Sequence, residues 1–155
     1  MSAHDAAWFE AQYNNRARIA EHPQIFERWR RASAVARAGS SQAQLNLPYG
    51  PHRDERLDLF PAADPYAPVL VFSHVAYWRS LSKDDHSFIA PALVASGATV
   101  VVPDYSLCPA VSIEDIAVQM VRVLEWVWRH IEAHGGNRDR IVVAGAAFAG
   151  GVTDG

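Results

Sequence analysis

From Pro68 onward, three unbroken apolar runs alternate with two helical patterns, and that order leaves few folds open. The runs are Pro68-Val69-Leu70-Val71-Phe72-Ser73, Ala98-Thr99-Val100-Val101-Val102 and Ile141–Ala144. A strand that is apolar at every position is covered on both faces. Ser82-x-x-Asp85 opens the first intervening helix with a capping-box pattern, and Phe88, Ile89, Ala92, Leu93 and Val94 carry it to Gly97. Ser112-x-x-Asp115 opens the second. Its apolar positions are Ile113, Ile116, Ala117, Met120, Val121, Leu124, Val127, Trp128 and Ile131, at helical spacing, and His134-Gly135-Gly136 closes it. Buried strands joined by helices predict a parallel sheet with right-handed crossovers, hence an α/β fold.

Upstream, residues 5–38 hold two helical patterns split by Pro23, and Ala38-Gly39-Ser40-Ser41-Gln42 reads as a turn. Residues 44–60 carry short apolar stretches on either side of Tyr49-Gly50-Pro51-His52, which predicts a pair of strands joined as a hairpin. One domain is expected over 1–155, with a helical extension over 1–40 and a sheet with crossover helices over 41–155. Half of the 155 residues are hydrophobic, enough for a real core. The net charge is −3 and no basic stripe stands out, so nucleic acid is not an expected partner. A single cysteine, Cys108, rules out an internal disulfide framework and a cysteine-rich zinc site. No secretory pattern and no bilayer-length apolar run is visible, so a cytoplasmic location without a membrane partner is the expectation.

Ligands in open parallel sheets bind beyond the carboxyl ends of the strands. Three loops leave such ends. In Ser73-His74-Val75-Ala76-Tyr77-Trp78-Arg79, backbone N–H groups would serve an oxyanion if the chain could bend inward, but Val75 and Ala76 stand where glycines would permit that bend. A plain strand-to-helix loop is the other reading. In the second loop, Asp104 is expected to cap loop backbone, and Cys108 to be an inert thiol. The third, Gly145-Ala146-Ala147-Phe148-Ala149-Gly150-Gly151, has the small residues of a tight strand-to-helix turn. A serine hydrolase places its nucleophile at such a turn, in G-x-S-x-G. Here that slot holds Ala147. His130 and His134 stand one helical turn apart, but the last turn of a helix favours histidine by its dipole, and no third ligand accompanies them. Neither metal nor cofactor is expected.

Taken together, these segments resemble the N-terminal half of an α/β-hydrolase, on the esterase/lipase branch that includes arylformamidase (kynurenine formamidase). Tyr13-Asn14-Asn15-Arg16, Tyr49-Gly50-Pro51 and Leu57-Asp58-Leu59-Phe60-Pro61 are similar to the entry segments of that group. Val71-Phe72-Ser73-His74-Val75-Ala76-Tyr77-Trp78 is similar to its H-G-G-x-W loop, and Asp104-Tyr105-Ser106-Leu107-Cys108-Pro109 to its D-Y-x-L-x-P loop. Val142-Val143-Ala144-Gly145-Ala146-Ala147 is similar to the strand and elbow V-A-G-H-S-A-G-G. The resemblance implies small esters or N-formylkynurenine-like amides as substrates of intact relatives. It also implies oxyanion-hole backbone positions at Val75, Ala76 and Phe148. With alanine at 147, and with the triad acid and base following the nucleophile in this group's chain order, the expectation is a truncated, inactive relative. The strand Ile141–Ala144 would then be an open edge prone to self-association. Two other readings compete. One is a noncatalytic interaction protein on the same scaffold. The other is a nucleotide-binding module on Gly145-x-x-x-x-Gly150-Gly151, which lacks the Lys-Ser/Thr a phosphate loop needs.

Overall fold

A computed structural model describes residues 5–14, 18–74 and 78–145. Two helices lead, α1 over Ala6–Tyr13 and α2 over His22–Gly39. Pro23 lies in the first turn of α2, where its missing N–H has no partner to lose. Strands β1 (Gln44–Pro48) and β2 (Arg56–Phe60) pair antiparallel, the expected hairpin. Then come β3 (Ala67–Ser73), α3 (Lys83–His86), a 3₁₀ turn (Ser87–Ile89), α4 (Ala90–Ala95), β4 (Thr99–Pro103), α5 (Ile113–His130) and β5 (Gly136–Gly145).

The five strands form one mixed sheet in the order β1-β2-β4-β3-β5. β3 pairs parallel with both β4 and β5, while β2 meets β4 antiparallel. The crossover through α5 therefore carries the chain from β4 past β3 to the sheet edge. Alternate residues of each strand feed two separate cores. Leu57, Leu59, Val69, Val71 and Val101 pack with Val123, Val127 and Ile131 under α5. On the other face Phe60, Val100 and Val102 pack with Ala90, Leu93 and Val94 of α4.

Both capping boxes form, with Ser82 bonded to Asp85 and Ser112 to Asp115. The first predicted helix is nonetheless broken. Pro91 sits in the first turn of α4 and cannot donate to the preceding turn, so the chain tightens into 3₁₀ geometry over Ser87–Ile89. α4 ends as its glycine predicts: Gly97 has φ +90° and donates to Val94 O, and Ala98 donates to Leu93 O. The apolar positions of α5 divide. Ile116, Val123 and Val127 are buried, but Ile113, Val121, Leu124 and Trp128 are exposed. β5 begins at Gly136, five residues before its apolar run, and β4 takes in Pro103. Among the described residues, no helix is long and apolar enough to cross a membrane.

Candidate active-site rim

The carboxyl ends of β3 and β5 lie side by side, since Ser73 and Gly145 are register partners. A β-carbon at Gly145 would stand 3.3 Å from Ser73 O, so glycine lets the two strand ends approach closely. The sheet thus sets the last described residues before 75 and before 146 at neighbouring strand ends. Val75, Ala76, Ala147 and Phe148 themselves lie outside the described residues.

What holds this rim is a buried polar stack. His74, fully buried, lies face to face with Tyr105 at 4.3 Å between ring centroids, and with His86 on its other side at 5.7 Å. Its Nε2 lies 3.1 Å from Asp104 Oδ1, and Tyr105 Oη donates to His74 O at 2.7 Å. Asp104 also accepts from the backbone N–H of Lys83 at 2.9 Å, while its own backbone takes a bond from Tyr49 Oη and gives one to Arg56 O. The loop-capping role expected of Asp104 is thus met, but across the molecule and with His74 as a second partner. Among the described residues, His74 Nδ1 is buried without a hydrogen-bond partner.

Burial pushes the His86 imidazole below its ordinary range, and neighbouring His74 adds to this, against the pull of Ser82 O at 3.0 Å and of Asp85 and Asp104. Burial, with the Asp104 charge beside it, pushes the Tyr105 phenol up to about 12. Burial does the same to Tyr49, aided by Glu55 and Asp104. Both phenols are therefore neutral donors near neutral pH and not bases.

A second polar cluster, which no local pattern in the chain announces, ties the hairpin turn to the loop after β4. Ser106 Oγ lies 3.0 Å from His52 Nδ1 and 3.2 Å from Asp54 Oδ2, and His52 Nδ1 is 3.3 Å from Asp54. The residue types are those of a catalytic triad, but the wiring is not. A relay uses both ring nitrogens, one for the serine and one for the acid. Here serine and carboxylate crowd the same nitrogen. Ser106 is also buried, and Gln119 both donates to its hydroxyl and accepts its backbone N–H. The cluster is a latch. Beside it an open cleft of about 450 Å³ is lined by Pro51, His52, Gln119 and Arg122, with Glu55 and Arg122 joined across its wall.

The two histidines at the end of α5 are also engaged. His130 Nδ1 lies 2.8 Å from Trp126 O and His134 Nδ1 3.0 Å from Gln44 Nε2, and both rings stack on Trp126. Among the described residues no group of His, Cys, Asp and Glu is placed to hold a metal ion.

Comparison with known proteins agrees with this architecture. A family model described as the alpha/beta hydrolase fold matches residues 70–153. Kynurenine formamidase of Danio rerio is 38% identical over 93 residues, 58% of this chain and 31% of that protein. A protein of Arabidopsis thaliana described as an isoprenylcysteine alpha-carbonyl methylesterase is 32% identical over 108 residues, 68% of this chain and 26% of its own length. Among solved structures, a Silicibacter protein described as a thioesterase superposes with a TM-score of 0.78 at 29% identity, covering 88% of this chain and 50% of that one. An esterase of Thermogutta terrifontis shares the fold with a TM-score of 0.60 at 20% identity. The matched stretch thus spans about a quarter to a third of the curated relatives' length. With its sheet order, its matched loops and a family model covering more than half of its residues, the chain belongs to the alpha/beta hydrolase fold family.

Proposed function

We propose that this chain is a scaffold of the carboxylesterase/arylformamidase type that does not hydrolyse esters or formamides by itself. The observation that carries the reading is the residue at the elbow: Ala147 stands in the nucleophile slot of the run Gly145-Ala146-Ala147. A methyl group cannot attack a carbonyl, and loss of the serine elsewhere costs on the order of a millionfold in turnover. The pairing of Ser73 with Gly145 supports the placement, because it brings the start of the loop holding Val75 and Ala76 beside the start of the elbow. The oxyanion positions are Val75, Ala76 and Phe148. Likeness to kynurenine formamidase and to esterases supports small esters and formamides of aromatic amines as the substrate class the scaffold descends from.

The test is turnover of p-nitrophenyl acetate and N-formylkynurenine by the purified chain. The expected rate equals that of a heat-denatured control at equal concentration. A rate above it that a serine-directed phosphonate abolishes would overturn the reading. A noncatalytic role by association is the second reading. It is favoured by β5, which among the described residues pairs with β3 alone and exposes Val142 and Val143, so that Ile141–Ala144 is open to another strand there.

A further inference from the structure

α2 turns Trp29, Arg30, Ser33 and Arg37 to one side, at helical spacing, and all four meet the short run 84–88. Trp29 packs on His86 and on Phe88, each at 5.8 Å between ring centroids. Buried Ser33 Oγ accepts the Phe88 N–H at 3.1 Å. Arg30 Nε lies 3.3 Å from Asp85, and Arg37 Nη1 2.9 Å from Asp84. His86 is the shared member of this contact, because its buried ring also stacks on His74, the residue that follows β3. Through that one ring the N-terminal helix touches the strand end at the rim.

The surroundings of the ring suit a neutral imidazole. Nδ1 lies 3.0 Å from Ser82 O and so carries the proton that it donates, while no described residue takes a hydrogen bond at Nε2. Phe72 and Phe88 add apolar walls. The nearby carboxylates are already engaged: Asp85 with Ser82 and Arg30, Asp104 with His74 and the Lys83 N–H. Lys83 and Arg37 are matched by Asp58 and Asp84. A second proton on the ring would therefore be a buried charge with no acceptor of its own. Burial holds this imidazole below its ordinary range in accordance with that.

We propose that His86 is a pH-sensitive fastening for α2: neutral, it locks the helix onto α3, and protonated it leaves the stack, so that α2 loosens while the sheet stays folded. The strands are joined by backbone ladders, whereas α2 meets α3 through side chains, which puts it among the elements that open first. The sign follows from the lowered proton affinity of the docked ring. The loosened state takes up the proton first, so docking is complete above about pH 6.5 and weakens as pH falls below it. One pH unit lower, the docking equilibrium can lose at most about tenfold. Nothing in this device depends on whether the elbow is catalytic.

Amide hydrogen exchange of the intact chain, corrected for intrinsic exchange, tests it between about pH 7.5 and about pH 5.5. Protection of the α2 amides is expected to fall several-fold, up to about tenfold, while that of the β4 amides holds. The His86 ring, followed by NMR in the same chain, should titrate over the range in which α2 loosens. His86→Phe keeps a ring in the stack and should leave α2 equally protected at both ends of the range, with far-UV circular dichroism reporting that the variant is folded. The wild-type titration stands without the variant. The proposal is overturned if α2 and β4 lose protection together, if the ring titrates with α2 protection unchanged, or if α2 of folded His86→Phe loosens over the same range.

Discussion

His86 is where one residue ties local geometry to a measurable pH dependence. Its ring is buried against His74 and Trp29, and its proton affinity in the fold is held down chiefly by that burial. The unfolded chain then binds the proton first. Stability is complete above the ordinary imidazole value near 6.5, and falls as pH drops below it until the folded-state ring also titrates. Asp85 and Asp104 face the same ring and oppose the shift, and partly buried His134 is lowered too. We expect urea midpoints to fall between pH 7 and pH 5, and His86→Phe to flatten that slope without abolishing it. Asp58 is the second such residue. It is fully buried, 3.2 Å from buried Lys83 Nζ, and accepts the Asn46 N–H. Arg37 Nε lies 2.9 Å away without hydrogen-bond geometry, so its attraction is electrostatic. Removing the carboxylate leaves Lys83 and Arg37, among the described residues, to share the half-exposed Asp84. Asp58→Ala is expected to cost about 3 kcal/mol in equilibrium denaturation.

Among the elements, helix ends were the most legible. Both Ser-x-x-Asp patterns became capping boxes, because the groups involved are neighbours in sequence. Ser112→Ala is expected to lose about 1 kcal/mol, read as a lower thermal midpoint. Gly97 had its role by the same logic. With φ at +90° it closes α4 through two backbone bonds, and Gly97→Ala should cost about 1 kcal/mol by the same measurement. The break before Pro91 was also written in the chain, as a proline inside an apolar helical pattern. The split of α5 into buried and open stripes was not. Both stripes have helical spacing, and the bonds of Gln119 to Ser106 in the loop after β4 and of Arg122 to Glu55 in the hairpin fix which way the helix turns.

For the molecule as a whole, the site is a property of several elements meeting. The rim needs β3 beside β5, β4 to bring Asp104 and Tyr105, and α3 to bring His86 and the Lys83 N–H. Restoring one atom should therefore not restore chemistry. Ala147→Ser is expected to leave p-nitrophenyl acetate hydrolysis at background and to show no burst of p-nitrophenol. No histidine of the described residues stands as a free base at that rim: His74 and His86 are buried in the stack, and His52 is held by Ser106 and Asp54. A phosphonate-sensitive burst from this variant would show that a base is in reach and that the elbow is otherwise sound.

By itself the sequence determined the α/β order, the hairpin, the caps and the identity of residue 147. All of these depend on periodicity, on neighbours within a helical turn, or on which atom occupies a slot. Tertiary structure alone decided that β5 crosses to the edge beside β3, that His74 shares Asp104 with a backbone amide twenty-one residues before it, and that Ser106 is latched rather than reactive. Those contacts join residues far apart in the chain. Their distances are set by how the sheet and helices close on one another, which local pattern does not encode.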